Sequence, residues 1–269
     1  MSEKVVVNDP KGMGAFILAS VEMEMAALPK PGKGKNAVMD NYFNNEWRTN
    51  GFGVNIRRHY TWDEMENGGF SLFGNIWEAY GAKLCGLEAA PTAENLKKTS
   101  VYIIVDPDHY KDNKKPNYMD ETAATALANW VKQGGVLVMM ANDTANCDLQ
   151  HFNTVSDKFG IHFSDKGRNM VKNNEFETGA IYNKNANPVF KQTKKMYLKE
   201  ISVLQVKAPA TSVITQDGDV IFAMAKYGKG TVFAVGDPWI YNEYVDGRKI
   251  PAEYENFTAA NELVRWLLS

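Results

Sequence analysis

The sequence predicts an α/β fold with a mostly parallel sheet, helices on its faces, and antiparallel strands added in the C-terminal half. Three observations carry this. Val101 to Val105 and Val136 to Ala141 are continuous β-prone apolar runs, the pattern of strands buried on both faces of a parallel sheet. Between, before and after them lie stripes of helical period, with connections long enough for right-handed crossovers. Finally, Val220 to Ala225 and Thr231 to Val235 flank Tyr227-Gly228-Lys229-Gly230, residues that tolerate a tight hairpin.

In chain order, the first element is a helix over Met13 to Leu28, with Met13, Phe16, Ile17, Val21, Met25 and Leu28 on one stripe. The run Pro29-Lys30-Pro31-Gly32-Lys33-Gly34-Lys35 cannot continue a helix and has a linker's composition. A boundary is therefore set there, giving a helix and linker over 1–35 and a main domain over 36–269. The helix is expected to lay its stripe on the main domain without joining the sheet. Ala37-Val38-Met39 is a short strand ending in Asp40, followed by the loop Asn41-Tyr42-Phe43-Asn44-Asn45-Glu46-Trp47.

Phe70, Phe73, Ile76, Trp77 and Tyr80 step by three and four, predicting a helix that stops at Gly81. The Val101 to Val105 strand ends in Asp106-Pro107-Asp108. After it, Met119, Ala123, Leu127, Trp130 and Val131 mark a helix with Asp120 and Glu121 in its first turn, where acids suit the dipole. Gly134-Gly135 ends that helix, the next strand ends in Asn142-Asp143, and Leu149 to Phe159 reads as a short helix. Ile201 to Gln205 and Ser212 to Thr215 are short strands with hairpin-like spacing, and Phe257, Ala260, Leu263, Val264 and Leu267 form the closing helix.

A chain of 269 residues that is 44% apolar can bury a substantial core. Its net charge of −2, from 30 basic and 32 acidic residues, gives no broad field for nucleic acid or anionic lipid, although Lys191 to Lys199 is a local basic patch. No apolar run approaches the ~18 residues of a spanning helix, so neither a nucleic-acid nor a membrane partner is expected. Cys85 and Cys147 have no metal-ligand spacing and name no compartment.

Four predicted strands end in an acid at or beside the tip: Asp40, Asp106 with Asp108, Asp143, and Asp237. In a parallel sheet those tips share one edge, where open α/β sheets bind ligands. Carboxylates gathered there can bind a divalent cation, with His151 as a further ligand, or act as an acid and base pair on a glycosidic bond. An aspartate at a strand-to-helix junction also caps helices and fixes turns, and a histidine within a helix also serves as a structural hydrogen-bonding group. Asp106, Asp143 and Asp237 are the catalytic candidates; Asp40, Asn44, Glu46, Asp108, His151, Trp239, Tyr241, Asn242 and Glu243 are the ligand-binding candidates. Aromatics around the tips suit stacking on sugar rings, and equally suit a core. No cofactor signature is present: neither a P-loop nor a G-x-G-x-x-G follows a strand. The nucleophile elbow is also missing, because Asn142-Asp143 fills the turn and Cys147 comes later without flanking glycines.

The order of elements from Lys35 to Ser269 resembles the class I glutamine amidotransferase superfold, a flavodoxin-like sheet, without its nucleophile. The stretch Asp9-Pro10-Lys11-Gly12-Met13-Gly14-Ala15-Phe16-Ile17-Leu18-Ala19-Ser20, with Glu22-Met23, resembles the last helix region of the (α/α)6 barrel of unsaturated rhamnogalacturonyl hydrolases, glycoside hydrolase family 105. Asp40 to Trp47, Gly69 to Gly81 and Gly236 to Tyr244 resemble the amidotransferase-like domain appended to some of those barrels. The resemblance implies an accessory domain with carbohydrate and the preceding hydrolase barrel as partners, in a parent compatible with the periplasm. Two other readings stand beside it: an independent hydrolase working through the strand-tip carboxylates, and a scaffolding or oligomerisation domain.

Overall fold

Nine strands hydrogen-bond into one twisted sheet in the computed structural model, which describes residues 7–269. In chain order the elements are α1 (Pro10–Ala27), β1 (Asn36–Asp40), β2 (Glu46–Thr49), β3 (Asn55–Arg58), α2 (Ser71–Ala79), β4 (Lys83–Leu87), β5 (Val101–Val105), α3 (Glu121–Lys132) and β6 (Val136–Met140). There follow α4 (Leu149–Ser156), β7 (Ile161–Arg168), β8 (Ala180–Tyr182), β9 (Lys195–Tyr197), β10 (Ile201–Val206), β11 (Ala210–Gln216), β12 (Asp219–Tyr227), β13 (Gly230–Val235) and α5 (Asn256–Leu267).

The strand order is β4-β1-β5-β6-β13-β12-β10-β7, with β11 also paired to β12. The first five of these pair in parallel, and β12, β10, β7 and β11 add antiparallel. Within the parallel half, the second strand lies outside the first, followed by the third, fourth and last, which is the flavodoxin-like order. The sheet is thus the largely parallel α/β sheet, extended by antiparallel strands, that the apolar runs predict.

Alternate residues of the central strands feed two cores. Met39, Ile103, Val138 and Phe233 pack with Phe73 and Trp77 of α2 and with Leu263 and Val264 of α5. Val38, Tyr102, Ile104, Met139 and Val232 pack with Leu127 and Val131 of α3 and with Phe152 and Val155 of α4. Period-two alternation in the strands thus meets period-3.6 stripes in the helices, two helices to each face. The β12–β13 hairpin turns at Gly228-Lys229, where Gly228 has φ 60°. A Cβ on Gly230 would lie 2.0 Å from the carbonyl oxygen of Val131, so only glycine lets the hairpin seat against the end of α3.

The amino-terminal helix departs from expectation. None of the residues of α1 is buried, and Phe16, Leu18 and Met23 are 68%, 69% and 74% exposed. The physical reason is that apolar residues surround this helix, with Leu18 and Met23 lying off the expected stripe, so it has no single face to turn inward. The linker docks instead: the Gly32 N–H donates to the Tyr80 carbonyl at 3.0 Å and the Lys30 ammonium to that of Ala79 at 2.5 Å. Residues 1–6, including Val5 and Val6, lie outside the described residues.

Candidate functional site

Because β1, β5, β6 and β13 run parallel, their carboxyl ends share one edge, and the sheet's direction of growth reverses between β1 and β5. A cavity of about 150 Å³ opens on this edge, lined by residues that follow those two strands together with others from the segments around His59 and Trp239. This is the topological switch point of an open α/β sheet.

Three of the strand-tip aspartates hold the loops that shape this cavity. Asp40 is 2% exposed; its Oδ2 accepts the N–H of Phe43 at 2.8 Å and of Asn44 at 3.2 Å, and its Oδ1 accepts the Tyr102 hydroxyl at 2.6 Å. Asn44 then donates to the Asp106 carbonyl at 2.9 Å, tying the loop after β1 to the tip of β5. Asp106, in the left-handed region at φ 35°, accepts the Tyr60 hydroxyl at 2.6 Å and the Asn142 N–H at 2.7 Å. Tyr60 in turn accepts the indole N–H of Trp239 at 3.0 Å. Asp237 is fully buried, and its two oxygens accept the N–H groups of Lys199 at 2.9 Å and Trp239 at 2.7 Å.

Burial dominates the electrostatics of this edge. It pushes Asp106 up to about 7 against the opposing hydrogen bonds of Tyr60 and Asn142, and Asp40 up to about 6. The Asp237 carboxyl is also raised, first by burial and then by the neighbouring charges of Asp106 and Glu200.

Asp108 differs from these three. Its Oδ2 accepts the Asn45 N–H at 3.0 Å and the Asn113 amide at 2.9 Å, but its buried Oδ1 has no protein partner. Burial raises this carboxyl to about 6. Glu46 faces the same cavity and hydrogen-bonds His59 Nδ1 at 3.0 Å; burial of the His59 ring disfavours its charge, yet the Glu46 hydrogen bond and charge leave its pKa raised. Asn242 donates to the Gly68 carbonyl at 3.3 Å, and Glu243 pairs with Lys249 at 2.6 Å. Both line the cavity, as does Trp239, over whose ring the Lys199 ammonium sits at 4.7 Å.

The cavity therefore gathers Glu46, Asp106, Asp108, Trp239, Asn242 and Glu243, with Asp40, Asn44 and Asp237 bracing it from behind. It does not gather three other candidates. Asp143 accepts the Ala145 N–H at 3.1 Å and the Asn146 amide at 2.9 Å within its own turn. His151 bonds Asp148 at 2.7 Å and stacks on Tyr118 at 4.1 Å. Tyr241 is fully buried, stacked on Phe73 at 4.9 Å.

Sequence reasoning passed over His59, Tyr60, Gly68, Asp112 and Asn146, which also line the cavity. His59 and Tyr60 both adopt positive φ, a backbone reversal that neither residue type announces. Among the described residues, no group of three or more His, Cys, Asp or Glu side chains is placed to hold a metal ion. What the arrangement offers is hydrogen-bond acceptors: five carboxylates line the cavity against one histidine. Cys147, 2% exposed, is raised by burial, so its thiolate is disfavoured.

No family model matches the chain, and no curated protein does. Solved structures do. The mmIFT52 N-terminal domain aligns with a TM-score of 0.64 at 15% identity, over 87% of this chain and 97% of that one. Cytoplasmic Protein STM1381 from Salmonella typhimurium LT2 aligns with a TM-score of 0.54 at 15% identity, over 85% of this chain and 98% of that one. At these identities the likeness shows the fold alone.

These counterparts correct the expected kinship with amidotransferase-like domains appended to unsaturated rhamnogalacturonyl hydrolases. The chain aligns over nearly the whole length of the mmIFT52 domain and of STM1381, and nothing in the comparisons indicates an amidotransferase. The physical reason is that a flavodoxin-like strand order is a generic solution to packing βα units and selects no family. The barrel resemblance rests on a single short stretch at and within α1. Similarity to glycoside hydrolases is partial: the exo-beta-1,4-mannosidase Op5Man5 from Opitutaceae bacterium strain TAV5 aligns over 83% of this chain and 33% of that one, with a TM-score of 0.42 at 14% identity, which carries no argument about function.

Proposed function

We propose that this chain is a carbohydrate-binding domain, an accessory to a polysaccharide-degrading enzyme, and that its strand-tip cavity receives one sugar ring. The observation that carries this reading is the buried, unpartnered Oδ1 of Asp108 in a cavity lined by carboxylates and one indole. A buried acceptor without a donor costs free energy until a ligand or water supplies one. Sugar hydroxyls are donors, and the apolar face of the ring suits Trp239. At about 150 Å³ the cavity lies below the about 300 Å³ where pockets for drug-sized ligands begin, which suits a single ring or a chain end.

The test is calorimetric titration of neutral monosaccharides into the wild type and Asp108→Asn at pH 7. The expected result is saturable binding to at least one sugar, weakened at least about tenfold in the variant, or roughly 1.4 kcal/mol. Equal affinity in the two proteins would remove Asp108 from the site, and a blank panel would end the reading.

A second reading, hydrolysis, is favoured by one observation. Asp106 at about 7 and Asp108 at about 6 sit where a general acid works best near neutrality. Release of nitrophenol from aryl glycosides, abolished in Asp108→Asn, would support it over binding alone.

A further inference from the structure

Beyond the strand-tip cavity, the same loop segment builds a second and larger concavity. A groove of about 810 Å³ runs along the β2–β3 hairpin, between it, the loop Thr61–Glu66 and the end of β4. Trp47, on β2, is 52% exposed, and Arg57, its cross-strand neighbour, lays its guanidinium over the indole at 4.8 Å. The second indole, Trp62, is fixed from behind by its N–H bond to the Cys85 carbonyl at 2.9 Å and by ring contacts with Phe70 and Phe73. One tryptophan is thus available, and the other is rigidly placed.

The polar groups of this groove are incompletely satisfied. The Glu64 side chain is 8% exposed, and its Oε2 is buried without a partner. Arg48 Nε is likewise buried and unpartnered, although the outer end of the same guanidinium pairs with Glu66 at 2.7 Å and lies 3.9 Å from Glu64 Oε1. Gly69 holds this loop closed, since a Cβ there would lie 1.9 Å from the Glu64 carbonyl oxygen. A buried acceptor and a buried donor therefore stand unused in a groove with an exposed indole. A hydroxyl, which donates and accepts at once, answers both.

Charge narrows the ligand further. Arg48 and Arg57 are outnumbered by Asp63, Glu64, Glu66 and Glu88 among the lining residues, so an anionic ligand meets net repulsion. We infer that this groove is a second carbohydrate subsite, taking a neutral sugar residue that stacks on Trp47 and bonds Glu64 and Arg48. A glycan chain would then cross the β2–β3 hairpin, with one residue in the strand-tip cavity and others in the groove. Glu46 and Trp47 are adjacent on β2 and line the cavity and the groove respectively.

The two-site ligand rests on the sugar-binding reading of the cavity, whereas the groove stands on its own residues. The experiment titrates cellohexaose, xylohexaose, mannohexaose and maltohexaose, and the corresponding monosaccharides, into the wild type, Trp47→Ala, Glu64→Gln and Asp108→Asn. Near-ultraviolet circular dichroism checks each fold. The expected result is a wild-type affinity that rises at least about tenfold from monosaccharide to hexaose. Trp47→Ala and Glu64→Gln each return the hexaose affinity to the wild-type monosaccharide level. If Asp108→Asn binds every sugar as the wild type does, while Trp47→Ala loses the hexaose, the cavity reading falls and the groove stands. Hexaose binding unchanged in both Trp47→Ala and Glu64→Gln, or absent in the wild type, overturns the inference.

Discussion

Replacing Asp106 by asparagine should stabilise the protein at neutral and alkaline pH. Asparagine keeps the size of the side chain and an oxygen for the Asn142 N–H, and it tolerates the left-handed φ of 35° that this position requires. It removes a carboxyl that burial moves from the ordinary 3.8 to about 7. A carboxyl with a raised folded-state pKa supports folding fully below its unfolded value, and that support is lost as pH rises through the folded one. Each pH unit between 3.8 and about 7 is worth about 1.4 kcal/mol, so the wild type loses on the order of 4 kcal/mol from this group. The asparagine variant is spared that loss. Its amide leaves the Tyr60 hydroxyl without its present acceptor, which costs about 1 kcal/mol at every pH. The variant should therefore be slightly less stable than the wild type at pH 4 and about 3 kcal/mol more stable at pH 8. Urea unfolding at half-unit steps from pH 4 to pH 8 measures both. Wild-type and variant stability curves that stay parallel across that range would refute the reasoning.

Two further substitutions test the scaffold. Glu262→Ala frees the N–H groups of Lys191, Gln192 and Thr193 and the Thr193 hydroxyl, which the carboxylate holds at 2.7–3.0 Å; a loss of about 2 kcal/mol in urea unfolding is expected. Burial alone would raise the Glu262 pKa, but these bonds leave it below its ordinary 4.5, so the difference from the wild type should shrink as pH falls below 4.5 and through the lowered folded-state value. Gly230→Ala places a methyl 2.0 Å from the Val131 oxygen and 2.4 Å from that of Gly135, and should cost about 3 kcal/mol, read as a lower thermal midpoint.

The parallel half of the sheet was legible because its strands are apolar on both faces and its helices carry clear stripes. The edges were not. Lys83–Leu87 and Glu46–Thr49 are half-exposed strands of mixed polarity, with no alternation strong enough to mark them. The acids at the four strand tips were equally plain in the sequence, but their roles were not. Asp40 and Asp237 become loop staples because nearby backbone N–H groups happen to point at them, and that depends on loop conformations no periodicity encodes. His59 and Tyr60 reach the cavity only through two successive left-handed residues, a local override of backbone preference. Trp47 was visible as one aromatic among many; its exposure follows from the hairpin, which the sequence did not reveal.

The pairing of β13 with β6 also bears on how the chain is made. Residues 136–140 pair in parallel with residues 101–105 on one side, but their other edge finds its neighbour only in residues 231–235, after the whole antiparallel extension has been synthesised. At about 5–20 residues per second, the apolar run Val136–Met140 spends on the order of ten seconds as an unguarded edge while the ribosome completes the intervening segment. An edge of that composition is a template for pairing with another chain. Nascent chains of this protein are therefore most vulnerable to aggregation in the interval that ends when the β12–β13 hairpin arrives, and a truncation before residue 230 would make that interval permanent.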